Sequence, residues 1–324
     1  MAGGNSYLDN LRLGQNPVLT NLAMGYSNAE FIADKIFPVI PTTAFPTLRV
    51  PEMNRDHLKI ISDVRTLYGD AVEGKNGALT YADVSLREHT QKRRIDIQEQ
   101  INASVIDLRK TRTFALTEGM LLNIEKDVAD IVQNNALYVN SNTTALAGVD
   151  QWTHASSHPE TQIWDAMEVV RGLCGHRPNT MTLGATSAWA LMKNANMVLA
   201  IKGALGGGIV SLQEIANYFN LTNGIHVGAA IYDNSEVVTD TFAPVDLWTD
   251  DCCLAYVATA PSERRSMYIP SFGYTFKHSQ FAPSIKTWQD LDGLTEWVQG
   301  SMIWVNKMYN DACAYLYTDT NVAV

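Results

Sequence analysis

Residues 154–160 read HASSHPE. His154 and His158 stand four apart with Glu160 just behind, and two imidazoles at that spacing share one helix face, as zinc ligands on a helix do. That chemistry needs the whole stretch to be helical. Ser157-His158-Pro159-Glu160 instead reads as a helix start, an S-x-x-E capping box with proline in the first turn. The spacing therefore predicts a helix that begins after His154 and carries only one of the two histidines. The segment is expected to be a fold junction, with its histidines incidental.

The other reactive side chains are no better placed. His57, His89, His176, His226 and His278 show no ligand spacing, and no H-E-x-x-H or C-x-x-C accompanies them. GALGGGIVS, residues 203–211, lacks the Lys-Ser/Thr of a phosphate-binding loop and follows a predicted helix instead of a strand, so it reads as a flexible turn. No G-x-S-x-G elbow occurs. Asp250-Asp251 reads as a turn pair, and Cys174, Cys252, Cys253 and Cys313 as buried thiols in a chain without a disulfide framework. Lys92-Arg93-Arg94 is the one basic cluster. An ion pair with a neighbouring subunit explains it better than phosphate does. No catalytic residue, metal or cofactor is expected.

Composition narrows the class. The chain has 324 residues with 46% hydrophobic and 18% charged residues, a globular balance with room for a large core. No apolar run of about 18 residues marks a membrane span, and MAGGNSYLDN has neither a basic nor an apolar signal region, so synthesis in the cytoplasm is expected. A formal net charge of −10 argues against a sequence-reading nucleic-acid binder.

Charge and aromatic residues are unevenly distributed. Between Pro46 and Gln100 basic and acidic residues interleave and balance, as suits a segment that has little core and meets charged partners. EGKNGAL, residues 73–79, is a strong reversal signal at its middle, flanked by LKIISDV and LTYADVSL, which predicts a long protruding two-stranded hairpin. Residues 1–45, broken by Pro17, Pro38 and Pro41, read as an extended arm. All the tryptophans, from Trp152 to Trp304, lie beyond residue 151, so the compact mass is C-terminal.

Between arm and body, apolar residues from Phe114 to Val132 recur at helical spacing, predicting one helix over about 104–137, on the order of 50 Å long. Then helices are expected at 160–173, 186–200 and 212–219, the last opened by a Ser211-Leu212-Gln213-Glu214 capping box, with strands at 180–183 and 224–231. From Glu236 onward β-rich segments dominate, and EWVQGSMIWVNKMYNDACAYLYT predicts long paired strands.

This order of parts, arm, charged hairpin, long helix, compact α/β body and terminal strands, resembles the major capsid protein of tailed bacteriophages with the Hong Kong 97-like fold. LTNLAMGYSNAEFIADKIFPVIP at 19–41, QWTHASSHPETQIWDAM at 151–167 and RPNTMTLGATSAWALMKN at 177–194 are similar to phrases of one capsid subfamily. The resemblance implies an α+β fold with an N-terminal arm (1–45), an extended-loop β-hairpin (46–100), a peripheral domain with a spine helix (101–155), an axial domain (156–255) and returning peripheral strands (256–324). It implies a non-enzymatic shell protein that forms pentamers and hexamers around double-stranded DNA. Its implied partners are a separate scaffolding protein, a portal and a decoration protein, with non-specific proximity to DNA and no membrane. The implied location is the virion, after assembly in the bacterial cytoplasm. Lys75 lies near the hairpin tip, where some relatives form Lys–Asn cross-links, but no matching acid and Asn are identified. Lys75, Lys92, Arg93 and Arg94 are the expected intersubunit contacts. The alternatives are an encapsulin-type compartment and a soluble α/β hydrolase.

Overall fold

The computed structural model describes residues 18–19, 23, 31–43, 46–51, 60, 64–65, 67, 69–70, 81–102, 107–139, 142–204, 207–233, 243–258, 271–280, 283–291 and 293–322. In chain order, the first half holds α1 (Ala33–Ile36), β1 (Val39–Thr42), β2 (Thr47–Pro51), β3 (Tyr81–Ser85), β4 (Arg87–Asp96), α2 (Ile97–Asn102), α3 (Leu108–Val132) and β5 (Thr143–Ala145). Next come α4 (Pro159–Cys174), β6 (Thr180–Gly184), α5 (Ala185–Lys193), α6 (Ala195–Lys202), α7 (Leu212–Tyr218) and β7 (Gly224–Gly228). The remaining described elements are the strands β8 (Ile231–Asp233), β9 (Pro244–Asp246), β10 (Cys252–Ala255), β11 (Gly273–His278), β12 (Ser284–Gln289), β13 (Thr295–Met308) and β14 (Ala314–Thr318), with a 3-10 turn at Asp311–Cys313. Among the described residues no helix is long and apolar enough to cross a membrane.

Two five-stranded sheets organise these elements. In the first, β13 is the centre: β4 runs antiparallel along one edge, while β12 and then β11 share the other, and β1 joins β11 in parallel. The long helix α3 lies across one face. Its buried stripe, Leu116, Met120, Ile124 and Val128, meets Val298 and Met302 of β13. Contact is close enough that a Cβ at Gly300 would stand 2.1 Å from Leu116 Cδ2, so only glycine fits. Asp107 caps the helix by accepting from the Lys110 amide at 3.3 Å, and the Arg109 guanidinium donates to Glu296 Oε2 at 2.8 and 3.0 Å, fixing the same end to β13.

The second sheet runs β5-β14-β10-β6-β7 and is covered on both faces. Met181, Leu183, Cys252 and Leu254 pack under α4 to α7, while Cys253, Ala255 and Leu316 join the core around α3. Strands with cover on both sides are buried at every position, as β6 and β10 are.

The structure departs from several sequence expectations. The long helix spans Leu108–Val132, about 37 Å, because Asp107 caps it and Gln133 turns away. The helix expected over 186–200 is two helices, since Asn194 leaves helical geometry and its side chain accepts from the amides of Asn196 and Met197. The strand expected over 224–231 ends at Gly228. Within the expected arm, Ile36 and Phe37 are fully buried, and β1 is part of the first sheet. Within the expected hairpin, β2 and β3 pair as a ribbon among the described residues, whereas β4 is a sheet strand. The returning segment is split, β13 in the first sheet and β14 in the second, because β14 pairs with β10.

Candidate functional site

The HASSHPE segment is held by short-range hydrogen bonds. His154 Nδ1 accepts from the Ser156 amide at 3.1 Å, and the His154 carbonyl accepts from the Ser157 hydroxyl at 2.9 Å. Ser157 therefore does not cap α4. His158 holds the cap position without a side-chain bond to the helix, Pro159 is the first helical residue, and His158 Nδ1 lies 2.8 Å from Glu160 Oε1. Neither histidine lies within the helix, one fewer than expected. Asn194 then ties the segment down, donating to Trp152 O at 3.0 Å and Ser157 Oγ at 2.7 Å. Among the described residues no group of three or more His, Cys, Asp or Glu could hold a metal ion.

A groove of about 1060 Å³ runs beside this segment, lined by Trp152, His154, Trp189, Lys193, Asp250 and Asp319 among others. Lys193 Nζ lies 4.3 Å from the centre of the Trp189 ring. Next to the groove, burial first and then the Asp250 and Asp319 charges push the Asp251 carboxyl up to about 6, against the hydrogen bond from Thr249. Cys174, Cys252, Cys253 and Cys313 are all buried thiols outside any disulfide. Burial pushes the Cys253 thiol up to about 12, so it is an inert thiol. The glycine-rich loop follows α6, and Lys202 Nζ donates to Ile209 O across it at 2.6 Å; Leu205 and Gly206 lie outside the described residues.

Lys92, Arg93 and Arg94 lie on β4, opposite Gln299, Val298 and Trp297 respectively, and all three are exposed. Among the described residues none of them has a carboxylate partner. Lys92 Nζ sits over the Trp297 ring at 4.3 Å, and Trp297 stacks on Trp288 across the strand pair with ring centres 6.5 Å apart. Lys75 and the expected hairpin tip around it lie outside the described residues.

Glu125 was missed by reading the sequence. Its carboxylate, 1% exposed on α3, accepts from the backbone amides of Ile32 and Ala33 at 2.8–3.1 Å and from Trp248 Nε1 at 2.7 Å. It thereby satisfies the bare N-terminus of α1, whose own cap residue Ile32 supplies no side-chain bond. Burial raises its pKa, and those donors oppose the rise. A signal was present: a carboxylate between Ile124 and Val128 sits on the apolar stripe of the helix, where a charge needs dedicated donors.

These features describe a rigid body with open surfaces, two-stranded ribbons and no assembled reaction centre among the described residues. No protein-family model matches the chain. The major capsid protein of Burkholderia phage BcepMu is 32% identical over 307 residues, 94% of this chain and 96% of that one. The major capsid protein of Pseudomonas phage JBD67 is 27% identical over 66% of this chain and 68% of its own. The crystal structure of a phage-related protein from Bordetella bronchiseptica RB50 superposes with a TM-score of 0.74 at 20% identity, covering 96% and 98% of the two chains, which shows the shared fold. The 32% identity over 94% of the chain carries the assignment: the chain belongs to the major capsid proteins of tailed phages, with the Hong Kong 97-like α+β fold.

Proposed function

We propose that this chain is the structural subunit of a phage head, assembling into an icosahedral shell of pentamers and hexamers around packaged double-stranded DNA. The observation that supports it is the near full-length relationship to a phage major capsid protein. In this reading residues 1–45 serve as the arm and 46–100 as the extended loop. Residues 101–155, with the long helix, and 256–324 form the peripheral domain, and residues 156–255 the axial domain. Lys75, Lys92, Arg93 and Arg94 contact neighbouring subunits. A separate scaffolding protein directs closure, and a portal occupies one vertex. The role is structural, without catalysis, and the subunit is made in the bacterial cytoplasm and ends in the virion.

The physical logic is that a closed shell sums many weak contacts, and tethered ribbons and arms raise their effective concentration. Negative net charge keeps the wall from gripping the packaged DNA. The experiment is negative-stain electron microscopy of particles formed with and without co-expressed scaffolding protein, with analysis of their contents. Closed shells, filled with nuclease-protected DNA when isolated from phage lysates, are the expected result. Shells holding enzyme cargo would favour the encapsulin alternative, and a monomer across salt and concentration would overturn the assembly reading.

A further inference from the structure

The face of the first sheet that points away from α3 is only partly covered. Leu48 and Leu86 cover Ile303 and Val305, and the β2–β3 ribbon packs its Val50 and Val84 on Tyr274 and Phe276. Beyond that cover the register lines up two open rows: Arg94, Trp297 and Trp288 in one, Lys92, Gln299 and Lys286 in the next. These rows hold three cations, two tryptophans and no acid; Glu88, Asp96 and Asp290 stand at the two ends of the face. The tryptophans are braced, Trp297 by its Nε1 donating to Asp290 Oδ2 at 2.9 Å and by Lys92 above its ring. This is a flat, pre-organised cationic strip in a chain whose net charge is −10.

The complementary charge occurs in the same chain. From Gly203 to Glu263 there is no Lys or Arg, and the segment 231–246 carries Asp233, Glu236, Asp240 and Asp246. Its described ends, β8 and β9, pair as a two-stranded ribbon with exposed Asp233 and Asp246. The ribbon sits at the other end of the long helix and on its side of the sheet: Lys126 Nζ lies 5.5 Å from the Tyr232 ring, whereas the strip backs onto Leu116 through Gly300. Ten helical residues separate those levels, about 15 Å, and the sheet itself lies between. A ribbon so placed does not reach the strip of its own chain, which leaves a second copy as the source of a matching ribbon.

We propose that the strip formed by Lys92, Arg94, Lys286, Trp288 and Trp297 is the docking surface for the acidic β8–β9 ribbon of a second copy of this chain. The proposal rests on the shell-assembly reading and names one contact within it. Strip and ribbon are different surfaces, so the contact is heterologous, the kind that generates rings when the rotation between copies closes. Charge sets the register of the ribbon, and the tryptophans supply contact area.

The test is charge reversal in the full chain, read as the critical concentration for assembly at a fixed salt concentration. Lys92→Glu with Arg94→Glu raises it about tenfold or more, and so does Asp233→Lys with Asp246→Lys. Combining all four brings it back toward wild type, as direct pairing requires. Neutral Lys92→Gln with Arg94→Gln flattens the salt dependence, and unchanged thermal unfolding of each variant excludes misfolding. Reversed strips that assemble as readily as wild type overturn the proposal, as do single-sided defects that the combined variant fails to recover. Normal assembly with lost retention of duplex DNA overturns it in favour of a nucleic-acid surface. If wild type itself forms no shells, the functional reading fails, and disulfide trapping of Lys92→Cys on one copy with Asp246→Cys on another still decides the contact.

Discussion

The two sheets have the same number of strands and opposite relations to solvent. In the second sheet every residue of β6 and β10 is buried, with helices on one face and the core around α3 on the other. In the first, β4 alternates irregularly between exposed and half-buried positions, and only Ile95 is buried. The second sheet is satisfied by its own chain. The first is finished on its α3 side and only in part on the other, where the open rows carry Lys, Arg and Trp side chains, which suit a partner better than a core. A subunit that must remain folded alone and then join others needs both kinds of surface, and this chain places them on separate sheets.

The sharpest way to break the comparison is to damage the covered sheet. Leu254→Ala removes a fully buried side chain from β10 and is expected to cost about 3–4 kcal/mol, measured by denaturant unfolding of the free subunit. A cost under 1 kcal/mol would mean that this sheet is not the rigid half. Glu125→Ala comes next. It strands the amides of Ile32 and Ala33 and the Trp248 indole, and about 3 kcal/mol is expected, together with early proteolysis near residues 31–42. Glu125→Gln keeps the size and one acceptor, and recovers part of the loss.

Asp251 gives a smaller, pH-dependent effect. Its folded value, about 6, lies above its ordinary 3.8, so the folded state holds the proton more tightly than the unfolded one. Stability therefore falls as pH rises through the window from about 4 to about 6 and is flat above it. The drop is about 1–2 kcal/mol once solvent screening at this half-exposed position is allowed for. Asp251→Asn removes that slope; a slope that survives in the variant assigns it to another group. The smallest effect belongs to the open sheet: Lys92→Ala loses an exposed cation–π contact, costing about 0.5 kcal/mol of subunit stability. Its consequence is expected in assembly, and a large loss of subunit stability would show that the outward face is structural after all.

What the residues disclosed, and what they hid, follows the same division. Elements whose signal is local were readable: the Ser211–Glu214 capping box that opens α7, the proline that opens α4, the apolar stripe of α3 and the alternation of β13. Boundaries set by tertiary contacts were not. Ser157 has the sequence of a cap yet turns its hydroxyl to His154 O, because Asn194 arrives from a distant helix to donate to it. The split between α5 and α6 depends on that same Asn194. The separation of β13 from β14 depends on a pairing with β10, roughly sixty residues back in the chain, and no periodicity announces it. The cluster Lys92-Arg93-Arg94 was visible as charge, but that Lys92 and Arg94 share a face with two tryptophans appears only once β4 is in register with β13. Glu125 was legible only as an anomaly.

The most direct test of the account is hydrogen–deuterium exchange on the free subunit and on the assembled shell. The expected result is new protection in β4, Arg87–Asp96, and around β8 and β9, while β6 and β10 are equally slow in both states. Unchanged exchange in β4 and the ribbon, with new protection confined to segments already buried in the free subunit, would contradict the claim that the open sheet face is kept for neighbouring copies.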